Sequence, residues 1–250
     1  MIVLKNKVEI DKMRVAGQAL ASIMKDVSSL ISPGVITSEI DNFIESSMIK
    51  ADLVPVCKGY CGYKHASCIS LNDTVIHGIP SDQIILKSGD FVKIDVVGSY
   101  KGYCADLTRY FFVGEPRKNA LKLAEVAQRA LDVAIASIKP GMHLSDISSI
   151  IQNEVESAGF GVVRNFAGHG IGKSLHEDPE VPNFGKPGRG PILEPGVTLA
   201  IEPMITERDY AVKVMDDGWT VKTVDGGLAA HVEDTVVVLE DGVEVLTRLN

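Results

Sequence analysis

The sequence lacks the features of a membrane protein or a secreted protein. It has no apolar run of the roughly 18 to 20 residues that a membrane-spanning helix needs. The first residues, MIVLKNKVEIDKM, carry charges where a signal peptide would have its apolar core. We therefore expect a cytoplasmic protein without a membrane partner.

Cysteines are few, and acidic residues outnumber basic ones. Four cysteines in a chain without a secretory signal predict reduced thiols rather than a disulfide framework. The formal net charge is -8 and no run of Lys and Arg forms a basic stripe, so nucleic acid is a poor candidate for the main ligand. The motifs G-x-G-x-x-G, G-x-x-x-x-G-K-[ST] and G-x-S-x-G are missing, which argues against dinucleotide, P-loop and serine-hydrolase sites.

The residues that are present indicate a folded α/β protein. The 250 residues are 45% hydrophobic, which is enough to bury a large core. Apolar residues at three- and four-residue spacing predict helices over residues 8–31, 37–50, 117–138 and 144–158. Residues 91–97 and 107–113 are rich in β-branched and apolar side chains, which predicts two strands joined through Gly98 and Gly102.

An internal repeat relates the two parts of the chain. SPGVITSEIDNFI, from Ser32, aligns with KPGMHLSDISSII, from Lys139, at an offset of 107 residues. The same offset places SGDFVKID over PGVTLAIE, so that Asp95 matches Glu202. One offset that holds over roughly 70 residues predicts two related halves that face each other across a pseudo-two-fold axis.

The repeat also sets the predicted domain organisation. The helix after each Pro-Gly pair starts alike, with Thr37 or Ser38 in one copy and Ser145 in the other available as N-caps. No Gly- or Pro-rich linker separates the copies. We therefore expect one domain over residues 1–250, with halves at about 8–113 and 117–248.

Four acidic residues occupy apolar strand positions. Asp95 lies inside the first predicted strand, Asp106 opens the second, Glu202 ends GVTLAIE and Glu233 precedes TVVVL. A carboxylate among apolar residues loses hydration and needs a cation, hydrogen bonds or a proton. Backbone amides or an arginine such as Arg109 could satisfy Asp95 alone, but four such acids favour a shared pair of divalent cations.

A histidine adds a nitrogen ligand to this set. GHGIGKSLHEDP, residues 168–179, places His169 and His176 seven residues apart. Three glycines in five residues predict a loop or strand end here, so the two histidines do not form a helical zinc pair. Four carboxylates and His169 suit two divalent ions among Mn, Fe, Co and Zn. Such an ion pair supports hydrolysis, because it activates a water and polarises a carbonyl.

Six segments together resemble the type I methionine aminopeptidases. They are NDTVIHGIP, DFVKIDVVGSYKGYCADLTRYFFVG, GHGIGKSLHEDP, TLAIEPM, DGWTVKT and HVEDT, in the order and spacing of that family. The resemblance extends from about Lys5 to Arg248. It implies the pita-bread fold, a curved and mostly antiparallel sheet covered by helices. It also implies removal of the initiator methionine from nascent chains when the second residue is small.

The resemblance assigns individual roles at the metal centre. The implied ligands of the two metal ions are Asp95, Asp106, His169, Glu202 and Glu233. Asp95 would give two oxygens to one metal, and Asp106 and Glu233 would bridge both ions. His169 and Glu202 would bind the second metal, with Glu202 also moving a proton for the attacking water.

The resemblance also implies residues that contact the substrate. His77 and His176 match histidines that contact the substrate backbone and steady the tetrahedral intermediate. The methionine side chain would lie among Cys57, Tyr60, Tyr63, Cys68 and Trp219. Aromatic walls and soft thiols suit an unbranched, polarisable thioether.

Three positions depart from the family pattern. Cys61 stands where the family has a histidine, which questions any contact that histidine makes on the leaving side of the substrate. Leu175 stands where an aromatic residue is frequent, which predicts a wider pocket. HVEDT replaces Gln-aromatic-Glu-His-Thr, and its Asp234 resembles the proline-specific relatives.

Two other functions therefore remain open from the sequence. One is an Xaa-Pro aminopeptidase or dipeptidase of the same fold, and the other is a non-enzymatic binding protein on that scaffold. The family resemblance implies N-terminal methionine peptides of nascent chains as partners. It further implies a monomer that works near the ribosome and contacts it transiently.

Overall fold

The computed structural model describes residues 1–249, and Asn250, the last residue of the predicted domain, lies outside this range. All four predicted helices are confirmed: α1 (Lys7–Val27), α2 (Thr37–Lys50), α3 (Lys118–Ser137) and α4 (Leu144–Ser157). The first is shorter than predicted, because a 3₁₀ turn (Ser28–Leu30) follows it. No helix within residues 1–249 is long and apolar enough to cross a membrane.

The predicted N-caps of α2 and α4, namely Thr37 or Ser38 and Ser145, are wrong. Both helices are capped one residue before their first turn, at Ile36 and His143. The amide of Ile36 donates to Glu39 Oε2 at 3.1 Å, and the amide of His143 donates to Asp146 Oδ2 at 3.0 Å. An acidic residue in the first turn thus binds the cap amide and also complements the helix dipole.

The strands form one large sheet and two small ones. In chain order they are β1 (Val54–Pro55), β2 (Ser67–Leu71), β3 (Thr74–Ile76), β4 (Phe91–Tyr100), β5 (Tyr103–Phe112), β6 (Gly161–Val162), β7 (Ala167–Gly170), β8 (Glu177–Pro182), β9 (Thr198–Ile201), β10 (Met204–Thr206), β11 (Val212–Val214), β12 (Val221–Thr223), β13 (Ala229–His231), β14 (Glu233–Leu239) and β15 (Gly242–Val245). The nine-stranded sheet has the order β1-β4-β5-β14-β9-β7-β8, with β2 on β4 and β15 on β14. The small sheets are β13-β10-β6 and β11-β12-β3, and the strand pairs are antiparallel throughout.

The central hairpin is longer than the sequence predicted. β4 continues through Gly98, and β5 starts at Tyr103 rather than at residue 107. Lys101 and Gly102 both have positive φ, at 48° and 78°, which is the backbone of a two-residue hairpin turn. Asp106 therefore does not open its strand. It lies in the interior of β5, opposite Val97 of β4.

The helices cover one face of the large sheet. Leu20 of α1 and Ile44 of α2 are fully buried in a cluster with one half of the sheet. Leu131 of α3 and Ile147 of α4 are fully buried in a second cluster over the other half. Burial of each such side chain contributes about 1.5–3 kcal/mol. Gly98 permits the close approach of α1, because a Cβ there would lie 3.1 Å from Leu20.

Backbone contacts repeat at the offset found in the sequence. The amide of Gly34 donates to Leu86 O at 2.9 Å, and the amide of Gly141 donates to Leu193 O at 2.8 Å. An isolated β-bridge joins residues 36 and 85, and another joins residues 143 and 192. Each contact recurs 107 residues later, which supports the proposed division into two related halves.

Candidate metal centre and substrate pocket

The register of the large sheet brings three of the four acids to one face. Asp95 of β4 lies opposite Thr108 of β5, and Thr108 lies opposite Glu233 of β14. Asp106 precedes Thr108 by two residues and so points to the same side of the sheet. Val92 and Ile94 of β4 belong to the cluster under the helices, so the alternate residue Asp95 faces away from them.

The next strands bring the remaining ligand candidates to the same face. His169 of β7 lies opposite Ala200 of β9, which in turn lies opposite Thr235 of β14. Glu202 follows Ala200 by two residues, directly after β9 ends. The acids and the imidazole therefore converge from β4, β5, β7, β9 and β14 on the face that the helices leave free.

All twelve site residues predicted from the sequence line one cavity of about 120 Å³. They are Cys57, Tyr60, Tyr63, Cys68, His77, Asp95, Asp106, His169, His176, Glu202, Trp219 and Glu233. The lining also includes Leu175, which the sequence placed at the pocket, and three residues that the sequence did not predict: Ile76, Val97 and His231. The structure thus places acidic residues, histidines and aromatic residues in one enclosed space.

The ligand atoms lie close enough to share cations. Candidate ligand atoms of Asp106, His169 and Glu233 all lie within 4.8 Å of one another. His169 Nε2 is 3.8 Å from Asp106 Oδ2 and 3.7 Å from Glu202 Oε1. His169 Nδ1 lies 2.8 Å from Gly170 O, a contact that requires the proton on Nδ1. This tautomer leaves the Nε2 lone pair facing the carboxylates, as a metal ligand requires.

Burial and mutual repulsion disfavour the ionised form of these acids. Burial, followed by repulsion from Glu233, raises the pKa of Asp106 well above its ordinary value. Burial likewise raises the pKa of Glu233 and of Glu202, with further repulsion from neighbouring acids. Asp95 Oδ1 and Glu233 Oε1 are buried and have no hydrogen-bond partner within residues 1–249. Divalent cations would satisfy these oxygens and offset the repulsion, so the residues fit a metal centre.

Threonine hydroxyls hold the bridging candidates in place. Thr108 Oγ1 donates to Glu233 Oε2 at 3.0 Å. Thr235 Oγ1 accepts from the amide of Asp106 at 2.8 Å and donates to its carbonyl at 2.9 Å. Partners of this kind orient ligands and contribute to metal affinity.

The remaining two predicted histidines flank the acids. The ring of His176 lies 4.4 Å from that of His169, centroid to centroid, and Tyr60 Oη lies 2.7 Å from His176 Nδ1. His77 has a positive φ of 57° and packs edge-on against Phe166 and Trp219. Burial lowers the pKa of His77 to about 4, so its imidazole is neutral at pH 7. A neutral imidazole can both donate and accept a hydrogen bond.

The other end of the cavity is apolar. The rings of Tyr63 and Trp219 lie 4.9 Å apart, and the Tyr63 hydroxyl donates to Ser67 O. Burial raises the pKa of the Cys57 and Cys68 thiols, so both remain neutral and uncharged in the wall. Neutral thiols beside aromatic rings form a polarisable surface.

His231 is a polar residue of the lining that the sequence did not predict. The residue is 2% exposed, and its Nε2 lies 3.2 Å from Glu202 Oε2. The signal was present, because the HVEDT segment that predicted Glu233 begins with this histidine. Residues two apart on an extended segment can point to the same side.

Two of the departures from the family pattern lie outside the cavity. Cys61 is exposed, has a positive φ of 48°, and does not line the site. Asp234 is fully buried on the other face of β14, where it accepts hydrogen bonds from Arg109 and Arg248. Arg109, which the sequence offered as a partner for Asp95, is thus the partner of Asp234. Leu175, the third departure, does line the cavity.

The cavity combines buried acids, histidines and an apolar wall. These are the side chains that a metal-dependent hydrolase needs. The sequence pattern of metallopeptidase family M24 matches residues 11–240. The chain belongs to this family, and it is a peptidase. The family implies binding of divalent metal.

Curated relatives match over the whole chain. A methionine aminopeptidase of Clostridium perfringens is 47% identical over 249 residues, with 100% of both chains covered. Methionine aminopeptidase 1 of Bacillus subtilis is 41% identical over 249 residues, again with 100% of both chains covered. The predicted resemblance to methionine aminopeptidases is therefore confirmed.

Solved structures confirm the predicted pita-bread fold. The crystal structure of a methionine aminopeptidase from Thermotoga maritima superposes with a TM-score of 0.98, at 44% identity and 100% coverage of both chains. The prolidase from Pyrococcus furiosus gives a TM-score of 0.81 at 23% identity, with 99% of this chain and 66% of that chain covered. The second likeness concerns the fold alone.

Proposed function

We propose that this peptidase removes the N-terminal methionine from peptides and nascent proteins whose second residue is small. The observation that carries the proposal is the single cavity in which a group of buried acids and His169 adjoins an apolar pocket. Full-length similarity to methionine aminopeptidases supports it. The proposal includes a single catalytic domain of two halves, acting as a monomer in the cytoplasm and contacting the ribosome transiently.

The metal centre in this proposal holds two divalent ions, drawn from Co, Mn, Fe and Zn. Asp95 would hold one ion, His169 and Glu202 would hold the other, and Asp106 and Glu233 would be shared between them. An oxygen-rich set with one imidazole suits these hard or borderline metals. When bound, the ions lower the pKa of a water and polarise the carbonyl of the scissile bond.

The protein residues supply proton transfer and orientation. Glu202 accepts the proton of the attacking water and passes it to the nitrogen of the leaving amine. His77 and His176 bind the substrate backbone and stabilise the oxyanion of the tetrahedral intermediate. Tyr60, which lies 2.7 Å from His176 Nδ1, holds that ring in orientation at the cavity mouth.

The shape of the site supports cleavage after the first residue of a peptide. Cys57, Cys68, Tyr63 and Trp219 form the apolar wall that would take the methionine side chain. The cavity holds about 120 Å³, which limits it to roughly one side chain. A second groove, which shares His169 and His176 with the cavity, runs between residues 164 and 184. It offers a path for the rest of the substrate chain.

The alternative of an Xaa-Pro peptidase gains little from the structure. Its sequence support was Asp234, and that side chain is buried away from the cavity in a pair with Arg109 and Arg248. The likeness to prolidase is one of fold. A binding protein without activity would not need buried acids with raised pKa values beside an imidazole.

The test is release of free methionine from peptides by protein loaded anaerobically with Mn, Fe or Co in turn. Met-Ala-Ser, Met-Leu-Ser and Ala-Pro are compared at equal concentration. We expect release from Met-Ala-Ser alone, and the best metal identifies the working cofactor. Preferential cleavage of Ala-Pro would support the Xaa-Pro function instead. Absence of cleavage by protein with bound metal would support the binding-protein function.

A further inference from the structure

The strand pairing of a small sheet brings His231 to Glu202. β10 pairs antiparallel with β13, and His231 lies opposite Met204. Glu202 is joined to Met204 through Pro203, so its side chain lies next to the imidazole. The shortest contact, 3.2 Å, joins His231 Nε2 and Glu202 Oε2.

The two oxygens of Glu202 face two different histidines. Oε1 lies 3.7 Å from Nε2 of His169, on the side of the proposed metal centre. Oε2 faces His231, which lines the cavity and whose buried Nε2 forms no bond of hydrogen-bond geometry in the described part of the chain. Asn183 Nδ2 donates to the carbonyl oxygen of Glu202 at 3.0 Å, which holds its backbone. His231 is therefore the side chain that lies next to Oε2 of Glu202.

We propose that His231 is a positioning residue for Glu202, a role that rests on the proposed metal-binding function of Glu202. With its proton on Nε2, the imidazole donates to Oε2 through a small adjustment of the 3.2 Å contact. This bond fixes the carboxylate so that Oε1 remains directed at the metal centre beside His169. The bond to His231 would therefore orient the Glu202 carboxylate before metal binds.

Variants at this position separate a hydrogen bond from simple packing. His231→Gln keeps a side-chain N–H donor, the residue type usual at this place in the resembling family. His231→Leu fills similar space without a donor. His143→Leu is the control for loss of an imidazole, because His143 lies at the start of α4 and binds Gly190 O. Each protein is titrated with Co²⁺ by calorimetry and by visible absorption, and its thermal unfolding is recorded.

We expect His231→Leu to bind Co²⁺ about 10- to 100-fold more weakly than the unchanged protein, with an altered absorption spectrum. His231→Gln should recover most of the affinity and the original spectrum, and His143→Leu should match the unchanged protein. If His231→Leu does not fold, His231→Asn provides the same test, since the shorter amide cannot reach Oε2.

Two results would overturn the inference. One is a His231→Leu protein, or its His231→Asn substitute, with unchanged Co²⁺ affinity and spectrum. The other is a His231→Gln protein as weak as His231→Leu, which would show that the imidazole itself is required. Both leave the proposed peptidase function intact, because peptide cleavage is measured separately. Failure of the unchanged protein to bind Co²⁺ would overturn the proposed function and this inference together.

Discussion

Replacement of Asp234 by Asn should destabilise the protein without changing its choice of substrate. Asp234 has no solvent exposure and accepts three side-chain hydrogen bonds. Arg109 Nη2 and Arg248 Nε each donate at 2.7 Å, and Thr247 Oγ1 donates at 2.8 Å. In the Asp234→Asn variant, an NH₂ group replaces one of the two acceptor oxygens and the negative charge is lost. Two guanidinium groups then lack their buried partner.

The size of the effect follows from the exposure of the partners. Loss of one member of a fully buried ion pair costs about 3–5 kcal/mol. The side chains of Arg109 and Arg248 are 26% and 38% exposed, so water partly screens them, and we expect the lower limit of about 3 kcal/mol. For a chain of this length, that loss lowers the melting temperature by roughly 6–12 °C.

Chemical and thermal unfolding of Asp234→Asn and of Asp132→Asn provide the comparison. Asp132 also accepts from Arg248, but its side chain is 45% exposed, so its loss should cost less than about 1 kcal/mol. Methionine release from Met-Ala-Ser should remain, with no gain on Ala-Pro. Equal stability of Asp234→Asn and the unchanged protein, or a shift of preference toward Ala-Pro, would refute this reasoning.

Four further substitutions test other parts of the structure. Asp106→Asn should weaken metal binding and nearly abolish turnover, whereas His176→Ala should keep its metal and lose rate; equal metal loss in both, by elemental analysis, would contradict this division. Gly168→Ala should lower metal content and melting temperature, because its Cβ would lie 2.4 Å from the carbonyl oxygen of Ala200. Burial lowers the pKa of Lys93 to about 7, so the folded chain loses this proton above that pH. The unfolded chain, in which the lysine is exposed, still binds it. The free energy of unfolding should therefore rise from pH 7 toward pH 10, by up to about 1.4 kcal/mol per pH unit, and Lys93→Met should remove this rise in denaturant titrations.

The sequence predicted the helices and the site residues better than it predicted the ends of the strands. Periodicity fixes which residues of a helix face the core, and it located all four helices. Asp106 was placed at the start of a strand because the two-residue turn at Lys101 and Gly102 carries no Asn-Gly signal. A cross-strand partner such as Thr108, which joins Asp95 to Glu233, depends on register, and periodicity does not determine register.

Long-range pairing also explains why the contacts of His231 and Asp234 could not be predicted. Both lie within two residues of the ligand candidate Glu233 in HVEDT, but they meet different partners. His231 contacts Glu202 because β13 pairs with β10, and Asp234 meets Arg109 because alternate residues of β14 point to opposite sides. One segment therefore carries a site residue, a ligand candidate and a structural ion pair.

The contact between Thr108 and Glu233 joins residues that are 125 positions apart. The ligand candidates are spread from Asp95 to Glu233, so the site is incomplete until β14 has been synthesised and has paired with β5. Closing so large a loop costs entropy before any contact is gained. A chain that stops short of β14 lacks Glu233, one of the ligand candidates, and the strand that holds it. At the proposed site, metal capture would therefore follow the synthesis of residue 233 and the pairing of β14 with β5.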